Sequence, residues 1–155
     1  MAIAEHPLVR SLERDECLQL LGRSTFGRIG VTYGALPAVL PVNYRLVDES
    51  ILFRTGHGTK LHAATCHSIV AFEVDEIDAL AHTGWSVMVT GEARRVTDPG
   101  RLDALEAVGI PHWADTDEAT VEIATTMISG RWIGRPSAAH QEMSPRSPGR
   151  MTPAS

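Results

Sequence analysis

Lysine is almost missing from this chain: Lys60 is the only one in 155 residues, beside thirteen arginines within the fourteen Lys plus Arg. No basic run is longer than Arg94-Arg95 and the formal charge is -5, so the electrostatic footprint of a partner for nucleic acid or an anionic membrane is lacking. There is no apolar run long enough to cross a bilayer and no secretory leader pattern at the start. Only two cysteines occur, Cys17 and Cys66, far apart in sequence, and they are read as reduced thiols of a cytoplasmic protein. Paired catalytic carboxylates and a G-x-S-x-G elbow are absent, which leaves hydrolase chemistry without support. The acidic stretch "EVDEIDAL" lacks the calcium-loop pattern and reads as a solvated or interface face. His57, His62 and His67, with Cys66 beside the last, are ligand types that zinc accepts. Their spacing of five does not stack them on one helical face, however, and no CxxC or HxxxH pair anchors them, so no metal site is expected.

What is present is enough apolar residue for one domain, at 43% hydrophobic. From Arg135 the text turns to Pro, Ser, Ala and Gly without apolar periodicity, so residues 135–155 are expected to be a disordered tail after a domain over 1–134. Near the other end, "SLERDECLQLLGRS" puts Leu12, Leu18 and Leu21 near one helical face, with Ser11 or Asp15 as cap and Gly22 as stop. Period-two patterns then predict strands at "FGRIGVTY", "ALPAVLPVNYRLV" and "SILFRT", and later at "SIVAFEV", "GWSVMVTGEARRV" and "TVEIATTMISGRWIG". A helix at "DPGRLDALEAVG" separates the last two, with Asp98 at the N-cap, Pro99 at N1 and Gly109 past the end. Six strands and few helices point to a small closed barrel, since closure removes exposed edges. Pro37 and Pro41 lack the N–H of a ladder bond, so the second strand must be an edge or be bulged.

The stretch "FRTGHGTK", 53–60, has the parts of an anion site: glycines before a short helical segment, hydroxyls on Thr55 and Thr59, and cations on Arg54 and Lys60. It is not a Walker A loop and lacks the third glycine of a dinucleotide fingerprint. On pattern alone, a glycine turn with a solvated lysine explains it equally well. Trp85 and Trp132 are the aromatics best placed to cover a planar ligand, or else they belong to the core or an interface.

In this order, "GRSTFGRIGV", "LPVNY", "ILFRTGHGTKL" and "AFEVDEIDALAHTGWSVMVTGEARRV" resemble the pyridoxamine 5′-phosphate oxidase-like, FMN-binding split-barrel proteins, especially their short single-domain actinobacterial branch. The resemblance covers residues 15–134. It implies a mainly β fold, a six-stranded antiparallel split β-barrel of Greek-key type with a few short helices. It further implies a homodimer with FMN in each of two clefts between subunits. Pro41, Val42 and Asn43 would run beside the isoalloxazine ring, Arg54 and Thr55 would lie under the ring and ribityl chain, and Thr59 and Lys60 would hold the phosphate. Trp85 and Ser86 would come from the partner chain. The chain departs from true pyridoxamine phosphate oxidases in having "GRWIGRP" where they carry an Arg-Leu-x-x-Arg segment, which argues against that substrate. The expectation is therefore an FMN-dependent oxidoreductase acting on an unidentified small molecule. A non-catalytic flavin-binding or sensing protein, a deazaflavin-dependent reductase and a haem protein stand as alternatives. No acid/base residue is assigned, His57 being the one considered.

Overall fold

A long strand, β7 (Thr83–Arg95), organises the structure, a computed structural model that describes residues 8–56, 59–112 and 118–134. The expected tail and His57 lie outside these residues. Along one side of β7 runs β6 (Ser68–Asp78), paired antiparallel from Ser68↔Ala93 to Asp78↔Thr83. The other side of β7 is shared. Its first half pairs with β9 (Met127–Gly134), from Gly84↔Ile133 to Thr90↔Met127, and its last residues, 93–95, pair with β8 (Glu118–Ala124). The sheet forks there, and this fork makes the barrel split.

Beyond β6 the sheet continues through β2 (Phe26–Tyr33) to β3 (Leu36–Asn43); beyond β8 it continues through β5 (Ser50–Gly56) to β4 (Arg45–Val47). On the other arm of the fork, β9 pairs with β1 (Leu8–Leu12). The described residues thus form one antiparallel, nine-stranded sheet where six strands are expected from sequence. The mainly β, antiparallel split barrel stands, and the extra strands have identifiable origins. At Tyr44 the second expected strand leaves its ladder, because the Tyr44 N–H turns to the Thr25 carbonyl at 2.9 Å, which divides β3 from β4. At Thr125 both the N–H and the hydroxyl donate to the Glu49 carbonyl, at 3.2 and 2.8 Å, and the turn that follows sends β9 to the other half of β7. The remaining addition, β1, consumes Ser11 in pairing with Arg131. Helix α1 (Arg14–Arg23) consequently starts later than Ser11 allows, with Glu13 at its N-cap and the Glu13 N–H donating to the Glu16 carboxylate at 2.8 Å. Gly22 lies within its last turn, and Ser24 follows the helix.

Pro37 and Pro41 sit as expected on an edge: β3 has β2 as its registered neighbour on one side and no other in the sheet, so its missing N–H groups break no inner ladder. Inward-facing residues of each strand make one core, including Ile29, Val42, Ile51, Phe53, Phe72, Val87, Val89 and Val121, onto which Cys17 and Leu21 of α1 pack. Burial of each large apolar side chain stabilises by roughly 1.5–3 kcal/mol. The Tyr44 and Phe72 rings meet edge to face, with centroids 4.9 Å apart. Helix α3 (Pro99–Val108) is capped by Asp98, whose carboxylate accepts from the Arg101 N–H at 2.8 Å, and ends at Gly109 with φ 73°, as its sequence predicts. It covers the outer face of β5 through Leu105, which joins Leu52, Val96 and Ile110 in a second, smaller cluster. With core on one face and α3 on the other, β5 buries Ile51 through Thr55 without interruption.

Candidate functional site: the open edge of β5 and the loop to α2

Because β4 ends its pairing at Arg45↔Leu52, β5 has a registered neighbour only on its β8 side from Phe53 onward. The main chain of Phe53–Thr55 therefore has one open edge, and β3, a terminal strand of the sheet, has another and ends its ladder at Asn43. Two strand edges with no registered neighbour among the described residues are suited to a ligand that takes main-chain contacts. Pro41 is exposed, Val42 is buried in the core and Asn43 is half-buried, so of the three "PVN" residues Val42 has only its backbone to offer.

At the end of β5 the chain turns into α2 (Lys60–Thr65). Thr59 is its N-cap, and its hydroxyl donates to the Gly56 carbonyl at 2.8 Å and accepts from the His62 N–H at 3.1 Å. Lys60 occupies the first helical position. The buried Thr55 hydroxyl lies 3.1 Å from His62 Nδ1. Thr55 and Thr59 thus both contact His62, with the backbone of Lys60 next to Thr59.

Arg54 is placed differently. Alternation along β5 turns it to the face opposite Thr55, under α3, where its guanidinium Nη2 donates to Glu106 at 2.7 Å. It is nearly fully buried, and its Nε has no partner among the described residues. Beyond Glu106 lie His112, at 3.8 Å, and Glu118, whose carboxylate is 2.8 Å from His112 Nδ1. The bond from Arg54 holds the Glu106 carboxyl below the usual carboxylate range. Sequence reasoning missed this group. Arg54 was legible as a cation beside the loop, but its carboxylate partner is on a helix 52 residues further along the chain.

Trp85 and Ser86 do not join this site within one chain. Trp85 stands on β7 eight residues before Ala93, the first to pair with β8, which is about 26 Å of strand. Trp85 packs on the core, Ser86 faces the other way between Asp75 and Arg131, and Trp85 is registered opposite Trp132. Trp132 lies close over Gly134. A groove of about 490 Å³ opens at the fork, lined in part by Ile69, Thr90, Ala124 and Met127, and none of the sequence-predicted site residues lines it.

A profile of the pyridoxamine 5′-phosphate oxidase family matches residues 13–132. The chain belongs to this family. Among the relatives of this pyridoxamine 5′-phosphate oxidase family member is an uncharacterized Mycobacterium tuberculosis protein, 35% identical over 127 residues, which are 79% of this chain and 84% of that one. A solved structure, that of the FAD binding protein from Mycobacterium smegmatis, is 34% identical with a TM-score of 0.70, covering 79% of this chain and 98% of that one. A FAD-binding protein from Mesorhizobium loti shares the fold, at 23% identity and a TM-score of 0.66, over 83% of this chain and 99% of its own. Among the described residues there is no metal-binding cluster and no helix long and apolar enough to cross a membrane.

Proposed function

We propose that this pyridoxamine 5′-phosphate oxidase family member binds a flavin between two copies of itself and uses it to oxidise or reduce a small molecule. The observation that carries the reading is the edge of Phe53–Thr55 opposite β8, which has no registered strand among the described residues, close in sequence to the hydroxyl-capped start of α2. The residues suit the group in part. On this reading the phosphate falls to Thr59, the N-cap of α2, and to Lys60 after it, and the ring to the edges at Thr55 and at Val42–Asn43, where main-chain groups are available. Arg54 fits less well than its sequence position suggests, since Glu106 already engages it on the α3 side. It acts on the site through β5, by holding the strand against α3.

When bound, the flavin would supply hydride or electron transfer, and the protein would orient it and exclude water. The motif resemblance favours FMN, whereas the Mycobacterium smegmatis relative is named for FAD. The mass of the released cofactor decides between them, and a deazaflavin would declare itself by its own fluorescence.

The homodimer is supported by the outer face of the β3-β2-β6-β7-β9 sheet. Val39, Ile69, Met88 and Met127 stand there in solvent, Val39 and Ile69 each at 69% exposure. Apolar side chains repeated across neighbouring strands mark an association surface. Ser86 lies on the same face, which suits its expected contribution to the partner's cleft. Two thiols that form no disulfide agree with a cytoplasmic protein.

The decisive experiment is the visible spectrum of the purified protein, followed by reduction with a nicotinamide donor. A yellow protein that turns over is expected. A colourless preparation that binds neither FMN nor FAD overturns the reading, and a bound flavin that no donor reduces restricts it to a sensing or storage role.

A further inference from the structure

Of the histidine series 57, 62 and 67, His57 lies outside the described residues, and the fold gives His62 a cysteine neighbour. His62 and Cys66 are four residues apart across α2, so they share a face. Cys66 Sγ lies 3.7 Å from Nδ1 and 4.0 Å from Nε2 of His62, whichever tautomer the ring adopts. Both ends of this pair are held. Thr55 is 3.1 Å from the imidazole Nδ1, Thr59 caps the His62 N–H, and the Cys66 N–H donates to the His62 carbonyl at 3.2 Å. The following residue, His67, has φ 61° and is anchored by its N–H to the Ala93 carbonyl at 2.8 Å, so the chain leaves the helix sharply and Cys66 stays at its partly exposed end. Cys17 supplies the contrast. It is 1% exposed beneath Gly130, and burial pushes its thiol up, away from ionisation.

We propose that Cys66 is a nucleophilic thiol served by His62, and that it forms mixed disulfides with low-molecular-weight disulfides. In the exchange His62, its Nδ1–H donated to Thr55, takes the proton of the Cys66 thiol at Nε2, and the thiolate attacks one sulfur of the incoming disulfide. The Cys66–sulfur bond forms as the reagent's S–S bond breaks, and the departing thiolate takes up the proton. Cys66 is oxidised to the disulfide level while the reagent is reduced to one thiol, so no further oxidant enters. Thiolate supply sets the rate of such exchange at neutral pH. The modified sulfur would sit at the C-cap of the helix whose N-cap is Thr59.

The test uses the full-length protein and the neutral probe 4,4′-dithiodipyridine, followed by thiopyridone absorbance. The wild type and Cys17→Ser are each expected to release one prompt equivalent per chain, and Cys66→Ser none. At pH 7, His62→Gln is expected to slow the prompt phase by about tenfold. At pH 10, where thiols ionise unaided, that gap closes. A prompt equivalent remaining in Cys66→Ser, or a His62→Gln rate equal to wild type at pH 7, overturns the proposal. Should His62→Gln fail to fold, native Cys17→Ser is compared with the same protein in urea at pH 7. The native thiol is expected to react about tenfold faster, and equal or slower native reaction overturns the proposal.

Discussion

Arg54 and Glu106 form a one-sided ion pair: the guanidinium is 7% exposed and the carboxylate 58%, at a separation of 2.7 Å. The buried partner depends on the exposed one, because a guanidinium in the interior has few other acceptors. Solvent screening at Glu106 keeps the net value modest. Glu106→Gln is expected to destabilise the protein by about 1 kcal/mol in urea unfolding at pH 7. The pair also sets a pH dependence. The Glu106 carboxyl is lowered from its ordinary 4.5, so its contribution is complete above that value and is lost as pH falls through the lower folded value. The gap between wild type and variant should therefore narrow in acid, and an unchanged gap at pH 3 and pH 7 would remove the charge from the explanation.

Tyr44 is fully buried and its hydroxyl donates to the Leu21 carbonyl at 2.6 Å, joining the break between β3 and β4 to α1. Tyr44→Phe should cost about 1–2 kcal/mol, because the Leu21 carbonyl is left without this donor. Burial raises the phenol to about 12. An ultraviolet titration of the native protein should accordingly contain a late-ionising phenol that the variant lacks.

At Gly27 an added Cβ would stand 2.5 Å from the Phe72 ring and 2.9 Å from the Glu73 carbonyl. The strand has no room to yield, since β6 lies against it. Gly27→Ala should destabilise by about 2–3 kcal/mol through overpacking, read as a lowered thermal midpoint. A neutral result would mean that β2 and β6 are not in this register.

Thr59 and Lys60 separate the structural role of the loop from its proposed ligand role. Thr59→Ala removes an N-cap and should cost about 1 kcal/mol of stability whether or not flavin is present. Lys60→Ala should leave stability of the flavin-free protein within about 0.5 kcal/mol. It should weaken FMN by about 1.5–3 kcal/mol, the range of a hydrogen bond to a charged group. Isothermal titration distinguishes the two, and an unaltered FMN affinity in Lys60→Ala takes Lys60 out of the site.

Val39 and Ile69 test the second copy. Placing a charge at either exposed position, as in Val39→Glu or Ile69→Lys, opposes burial of the outer sheet face. Light scattering should find a dimer for wild type and a monomer for the variants, with flavin lost alongside the dimer. A dimer that survives both changes would place the interface elsewhere.

Much of this molecule was legible in one dimension because the signals are local. Asp98, Pro99 and Gly109 bracket α3 by capping chemistry, and the two prolines of β3 identify an edge by the donors they lack. Thr59 was legible as part of a loop before a helix, and the structure makes it the cap. The divisions at Tyr44 and Thr125 were not legible, since each comes from a backbone group turning to a carbonyl remote in sequence. Nor was the destination of Arg54, which alternation could place on a face but could not connect to Glu106.

By itself, then, the sequence determined the alternating strands, the capped helix α3, the edge character of β3, the glycine loop before α2, and the family. All of these rest on neighbours within a few residues or on motif order. Tertiary structure alone decided where β7 forks, which edge of β5 stays open, and that Arg54 turns to α3 while His62 meets Cys66. Pairing partners are chosen by packing, and a stretch such as Ile51–Thr55 of β5, buried on both faces, shows which residues alternate but not what covers each side.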